Sequence, residues 1–316
     1  MTPLVSVVCL DYEPDWKKLR ATLHSIVVQE DIELEVIVSD DGSKDPKTEE
    51  IKAFFRSAGF TRYEIVTAEE NTGTVKNVLR GLEKAHGKYV KLISPGDLLF
   101  DRKTLSDWSA FMEKERLRLS FSDAVYYVME SETAKILSAK GAPANKELYG
   151  ENAKRNRVFT DYLVNGDTAL GAAVFAERTL LREYLEQISG KVVFCEDYAI
   201  RLMVFDRIRV RRYPSFGIWY ESEIGISSAK NNAWRERVSK DMAASDEVIS
   251  EKTPGDAIAR RYKRFLTIRS HSGKIRNKFL RTALFPSVRY YAWKKNRKKP
   301  VVPAADPALF AKMAGM

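Results

Sequence analysis

The sequence predicts an α/β fold: a mostly parallel sheet flanked by helices, with a basic helical extension at the C-terminal end. Two observations carry the sheet. Short apolar runs alternate with helix-length amphipathic segments across residues 4–93, and a cluster of carboxylates, Gly and Ser follows directly on one of those runs. Leu4-Val5-Ser6-Val7-Val8-Cys9-Leu10 reads as a first strand, and Pro14 to Val28 as a helix, because Leu19, Leu23, Ile26 and Val27 recur at helical spacing. Val36-Ile37-Val38 reads as a fully buried strand. A helix-like stretch around Ile51, Phe54 and Phe55, a strand at Tyr63-Glu64-Ile65-Val66, a helix from Thr74 to His86 and a strand at Tyr89-Val90-Lys91-Leu92-Ile93 complete the alternation. Strands joined by helices of this length imply parallel pairing through right-handed crossovers.

The loop Ser39-Asp40-Asp41-Gly42-Ser43-Lys44-Asp45 then falls at the carboxyl end of a parallel strand, where open α/β sheets bind ligands. Asp, Gly and Ser also favour turns for their own sake, so the residues alone leave both readings open. Further pieces follow in order: Leu10-Asp11-Tyr12 at the end of the first strand, Glu70-Asn71-Thr72-Gly73 with Asn77, Ala85-His86-Gly87-Lys88-Tyr89, the turn Ser94-Pro95-Gly96-Asp97, and Cys195-Glu196-Asp197 followed by Arg201. In this order the chain resembles the family 2 glycosyltransferases of the GT-A fold, over about residues 4 to 228, with the bacterial surface-polysaccharide enzymes as the expected relatives.

The chemistry of a nucleoside-diphosphate sugar fits these residues. Asp40 can accept the N3–H of uracil or thymine while Tyr12 stacks on the ring, which favours a UDP- or dTDP-sugar donor, and the resemblance implies the same role for Asp40. The donor contacts expected around them are Leu10, Asp11, Gly42, Ser43, Asn71, Gly73, Lys76, Asn77, Ser94 and Gly96. Charge developing on the leaving diphosphate suits a divalent cation, Mn²⁺ or Mg²⁺, held by Asp97. The resemblance implies further acids in this turn, but Ser94 and Gly96 stand where two of them would fall, so one carboxylate, the donor phosphates and water would complete the site. Asp97 could instead cap a following helix.

An inverting transfer needs a general base for the acceptor hydroxyl. The resemblance assigns that role to Asp197, with Glu196 as a support or acceptor contact; acids in the first turn of a helix also complement its dipole. Asp167, before the apolar Ala172-Ala173-Val174-Phe175, and Trp219 are expected at the acceptor. Trp219 to Ser228 resembles a closing segment, with Gly225 and its hydroxyls suited to a phosphate-covering lid and Glu223 where many relatives place a cation; Lys76 is a substitute source of charge.

Cys9 and Cys195, far apart in apolar runs, imply a reduced protein without a disulfide framework, no signal peptide is visible, and no apolar run is long enough to span a bilayer. The expectation is a cytoplasmic enzyme. Charge divides the chain into an expected catalytic domain over residues 1–250 and an extension over 251–316. Residues 260–299 carry 15 Lys and Arg and no Asp or Glu, whereas residues 1–259 hold 37 basic and 42 acidic side chains. Interleaved with the cations are Phe265, Leu266, Ile268, Phe279, Leu280, Leu284, Phe285, Val288, Tyr290, Tyr291 and Trp293, a pattern that suits helices lying on the inner face of an anionic membrane beside a lipid-linked or surface-glycan acceptor. Ordinary packing of these helices is the alternative. No recognised nucleic-acid motif accompanies the patch, so nucleic-acid binding is a lesser reading. A non-catalytic nucleotide or glycan binder that has lost a metal acid is the other class of function.

Overall fold

The computed structural model describes residues 4–222, 232–270 and 273–316. The first half is a run of βα units: β1 (Val5–Asp11), α1 (Trp16–Val27), β2 (Leu34–Asp40), α2 (Thr48–Ser57), β3 (Tyr63–Thr67), α3 (Thr74–Lys84) and β4 (Tyr89–Ile93). Each expected strand and helix is present, with ends within a few residues of the sequence reading. β3, β2, β1 and β4 lie side by side and parallel. The order places β2 and β3 on one side of β1 and β4 on the other, so the chain reverses direction across the sheet between β1 and β4. That reversal opens a crevice at the carboxyl ends of these strands.

The second half extends the sheet: β5 (Leu98–Leu99), α4 (Thr104–Lys114), β6 (Leu119–Glu130), β7 (Thr133–Ile136), α5 (Arg155–Phe159), β8 (Val174–Glu177), α6 (Arg178–Ile188), α7 (Tyr198–Phe205) and β9 (Val210–Glu221). Here β8 pairs antiparallel with both β4 and β6, and the full order is β3-β2-β1-β4-β8-β6-β9-β5, with β7 on β6. Strand alternation sorts the core. Val8, Leu10 and Ile37 face a cluster under α3, α6 and α7, while Val7, Cys9, Val36 and Val38 face one under α1, α2 and α4. Cys9 and Cys195 are buried free thiols.

The helices that close the chain are α8 (Asn232–Glu251), α9 (Ala257–Ser270), α10 (Lys274–Leu284), α11 (Val288–Arg297) and α12 (Pro307–Ala314). Half of the apolar tail residues are core. Tyr262, Phe265, Leu266, Phe285 and Val288 join the cluster beneath α6 and α7. Phe310 of α12 packs on Tyr127 and Trp219, and Met313 offers its carbonyl to His24 of α1. Ordinary packing therefore accounts for α9 and α12. The large apolar groups left in water are Ile275 and Phe279 on α10 and Tyr290 and Trp293 on α11, with Val301 and Val302 beyond them. Among the described residues no helix is long and apolar enough to cross a membrane.

Candidate active site

Three groups of polar side chains stand at the crevice. The first ties the ends of β1 and β2 to the start of α3. The Asp40 carboxylate accepts the N–H groups of Gly42 and Ser43 at 3.1 and 3.0 Å and the Ser43 hydroxyl, so it shapes its own loop. Asp41 reaches the next loop, accepting from Thr72 N–H at 3.1 Å, the Thr72 hydroxyl at 2.7 Å and Gly73 N–H at 2.8 Å. Gly73 has φ +89°, and a Cβ there would stand 2.4 Å from the Val193 side chain; only glycine fits that turn. Asn77 is buried, donates to Ser39 O and Asp11 O and accepts from the Ser39 hydroxyl. It holds two strand ends together and presents nothing to the crevice. Leu10 likewise belongs to the apolar core.

Three residues of this group are open. Tyr12 is 53% exposed, free to stack on a ring, and Asn71 and Lys76 lie at the surface. Asp11 is different: it is 2% exposed, pairs in register with Asp40, and both its carboxylate oxygens are buried without a hydrogen-bond partner. Burial first and the Asp40 charge second push its carboxyl up to about 7. Arg80, which the sequence reading passed over, supplies the cation here. Its guanidinium bonds Thr72 Oγ1, Asn77 Oδ1 and, at 3.4 Å, Asp41 Oδ1.

The second group surrounds Ser94-Pro95-Gly96-Asp97. Ser94 is exposed at the mouth, Gly96 (φ +100°) would drive a Cβ into the Glu221 carboxylate at 2.1 Å, and Asp97 accepts the Glu221 N–H at 3.1 Å. Thr22 of α1 bonds Gly96 N–H and Asp97 O, and Lys18 of the same helix pairs with Glu221 at 2.7 Å. No helix begins at Asp97, since the two-residue β5 follows; capping is excluded. Burial, with the Glu221 charge added and the Lys91 ammonium opposing, raises the Asp97 carboxyl to about 7. Lys91 itself is fully buried in β4, donating to Leu92 O and Ala172 O, and burial lowers it to about 8. A single charged residue inside the run Tyr89–Ile93 was its visible signal.

Among the described residues no three His, Cys, Asp or Glu side chains converge on a metal position. The donor set is nonetheless compatible with a divalent ion. Asp97 is a buried carboxylate beside the Glu221 carboxylate, with Lys91 and Lys18 as the nearby cations, and the exposed Ser94 opens the turn at its mouth. One carboxylate with phosphates and water is an ordinary environment for Mg²⁺.

The third group is the acid pair. Glu196 and Asp197 are half-buried at the start of α7 and line a narrow cavity with Leu92, Gly171, Val174 and Ile200. Asp197 occupies the N-cap position but makes no capping bond with its side chain. Burial raises both carboxyls. Asp197 reaches about 6, restrained by the Arg201 cation and raised by Asp241, while Glu196 reaches about 8 because the Asp197 charge adds to burial. Arg201 is anchored on α8 through Ser245 at 2.7 Å and Asp246 at 2.6 Å. The loop before the pair is gripped by Asp241, which accepts the N–H groups of Val193, Phe194 and Cys195 at 3.1, 2.7 and 2.9 Å. Val193 O in turn accepts Val75 N–H, joining this loop to the start of α3.

Two acceptor expectations do not hold. Asp167 is 2% exposed and spends its carboxylate on Ala144 and Asn145 N–H and on Lys295 at 3.0 Å. Trp219 is fully buried, donates to Phe100 O and stacks on Phe100. Trp219 lies in a continuously buried stretch of β9 with Gly217 and Ile218, so it belongs to the core. Glu223, Gly225, Ser227 and Ser228 of the expected lid lie outside the described residues.

The glycosyl transferase family 2 model matches residues 6–176, more than half of the chain and all of the parallel half. The chain belongs to glycosyl transferase family 2. It is a glycosyltransferase with a GT-A fold. Similar solved structures are S. aureus TarS 1–349 in complex with UDP-GlcNAc (17% identity, 91% of this chain and 81% of that one, TM-score 0.54) and with UDP (16% identity, 92% and 87%, 0.53). Another is the mannosyltransferase PcManGT from Pyrobaculum calidifontis in complex with GDP-Man and Mn²⁺ (14% identity, 100% and 87%, 0.55). At such identity the likeness is one of fold. No protein of curated function matches the chain at a significant level.

Proposed function

We propose that this glycosyltransferase moves a sugar, with inversion, from a uridine or thymidine diphosphate donor to a hydroxyl of a lipid-linked or surface-glycan precursor on the cytoplasmic side of a membrane. One observation carries the catalytic part: two adjacent carboxyls whose surroundings separate their proton affinities. Burial raises both carboxyls, the Arg201 cation holds Asp197 down and the Asp197 charge lifts Glu196 further, so Asp197 is the readier of the two to ionise and Glu196 the readier to keep a proton. The acceptor oxygen attacks the anomeric carbon as its proton passes to Asp197, the glycosidic C–O bond breaks, and the nucleoside diphosphate leaves with the bonding pair. A single displacement inverts the centre. Protonated Glu196 can donate a hydrogen bond to the acceptor.

On the donor side, Tyr12 stacks on the base. Asp40 keeps lone-pair capacity beyond its loop bonds for an imide N–H, and the unpartnered Asp11 carboxyl stands next to it. The exposed Lys76 at the start of α3 suits the phosphates. Asp97 would hold a Mn²⁺ or Mg²⁺ ion, which would supply Lewis-acid charge to the leaving diphosphate. Nucleotide sugars incubated singly with the full chain and a mixture of polyprenyl-phosphate-linked glycans test this reading through release of nucleoside diphosphate. Retention of anomeric configuration in the product refutes inversion, full turnover in excess chelator refutes the metal, and turnover confined to GDP-sugars refutes the pyrimidine donor.

A further inference from the structure

The tail residues do not share one fate. α9 and α12 are built into the core, whereas α10 and α11 each turn large apolar groups outward among cations. On α10 the exposed apolar groups are Ile275 (77%) and Phe279 (69%), one helical turn apart. Arg276 and Lys278 stand exposed between them. On α11 Tyr290 (54%) and Trp293 (53%) stack at 6.1 Å, with the Arg297 guanidinium 4.9 Å from the Trp293 ring and Arg289 exposed beside them. From Gly273 to Lys299 there are ten Lys and Arg and no acid. Clustered in pairs on two consecutive helices, these groups make an exposed apolar patch, and the charge around them selects the occupant.

We propose that the outward faces of α10 and α11 form a docking surface for an anionic lipid bilayer, seating the cleft on the membrane that carries its acceptor. Phe279, Ile275 and Trp293 enter the headgroup region while Arg276, Lys278, Arg289 and Arg297 meet lipid phosphates. The surface is rigidly joined to the catalytic body: Tyr291 and Val288 are buried on the inner side of α11, Tyr291 O accepts from Asn145, and Lys295 pairs with Asp167. Asp167 and Gly166 precede Gly171, whose Cβ position lies 3.1 Å from the Asp197 Cβ, so α11 braces the segment that leads to the base. The acceptor half of this inference rests on the function proposed above; the docking half does not.

Co-flotation of the full chain with vesicles tests it without turnover. Vesicles of phosphatidylcholine alone are compared with an equimolar mixture of phosphatidylcholine and phosphatidylglycerol, at low and high salt. The wild type is expected to float with the anionic vesicles only and to be released by salt. The variant Arg276→Gln/Lys278→Gln/Arg289→Gln should bind about a hundredfold more weakly, at about fivefold per cation near the surface. Ile275→Ser/Phe279→Ser and Trp293→Ala should each weaken binding tenfold or more. All these side chains are exposed, so unfolding temperature should stay unchanged and confirms that the fold is intact. Wild-type flotation that is absent, indifferent to lipid charge, or equal to that of the variants overturns the proposal. Salt-sensitive retention on duplex DNA without vesicle binding overturns it too and assigns the cations to nucleic acid. Donor diphosphate release by the variants on a soluble acceptor reads the catalytic proposal separately.

Discussion

Asp41 and Asp241 perform the same task on two loops. Each is a buried carboxylate that accepts successive backbone N–H groups and fixes a turn at the crevice: Asp41 holds Thr72 and Gly73 on the donor side, Asp241 holds Val193, Phe194 and Cys195 ahead of the acid pair. They differ in where the holder comes from. Asp41 follows β2 directly and belongs to the compact βα array, so the donor side is closed by parts of one sheet. Asp241 sits on α8, 46 residues beyond Cys195, and α8 is itself packed by α9. The donor side is held mostly within the βα array, with Val75 N–H to Val193 O crossing to the acid loop, while the acid side depends on helices contributed from the far end of the chain.

Removing those helices breaks the comparison most severely. A chain ending at residue 259 loses Tyr262, Phe265, Leu266, Phe285, Val288, Phe310 and Met313, all buried. At roughly 1.5–3 kcal/mol for each large side chain, the loss matches or exceeds the whole stability of a typical domain. The truncated protein is expected to show no cooperative thermal transition by circular dichroism. A folded truncate with intact donor affinity would make the tail a true appendage, as its charge pattern alone suggests.

At the chemical centre, Asp197→Asn should lower kcat by roughly 10²–10⁴ while donor affinity, set by the other loops, stays within about twofold. Wild-type kcat/KM should rise with pH through about 6, as Asp197 gives up its proton, and fall above about 8, as Glu196 gives up its own. Loss of activity in Glu196→Gln with full turnover in Asp197→Asn reverses the two roles.

The grip of Asp241 comes next. Asp241→Ala leaves three amides without their acceptor and lets the acid loop drift, for an expected fall of about 10–100-fold in kcat with donor KM little changed. Asp241 also raises the Asp197 carboxyl through its charge. Both Asp241→Ala and Asp241→Asn should therefore move the acidic limb of the pH profile below 6, with Asp241→Asn keeping more of kcat because its amide oxygen still accepts. A limb that stays in place in both variants leaves Asp241 a packing residue.

Legibility in the sequence follows the same division. From Leu4 to Ile93 each element was readable, because the parallel half is made of local βα units whose apolar periods and turn residues state their own roles. The acid pair was readable through its motif. β6 and β9 were not: they are long strands with mixed burial, held by each other and by β8, and no local period separates them from loops. Asp167 and Trp219 failed for a related reason. A carboxylate after a Gly and a Trp near a loop look like ligand contacts until the partners Ala144, Asn145, Lys295 and Phe100 come in from elsewhere in the chain. Asp241 and Glu221 carry no local signal, since their roles exist only once distant segments meet. The tail showed the converse error of scale: one charge pattern covered helices that the fold divides between core and surface.

The smallest expected effect sharpens the donor side. Its polar groups satisfy one another except at Asp11, whose two buried oxygens have no partner. A carboxyl raised from 3.8 to about 7 in the native state binds a proton there that the unfolded chain has already lost. Its cost to stability is absent below about pH 4, grows as pH rises, and is complete above about 7. Asp11→Asn keeps the shape and removes the ionisation. The variant should therefore melt with the wild type at pH 5 or slightly above it, and be more stable than the wild type by about 1–3 kcal/mol at pH 8, read from urea unfolding at the two pH values. Under the donor role proposed above for Asp11, at the end of β1 beside the Asp40 loop, donor binding should move the other way. Equal stability at pH 8 would show that water already satisfies Asp11, and unchanged nucleotide affinity would remove it from the donor site, leaving Tyr12 and the Asp40 loop to recognise the base.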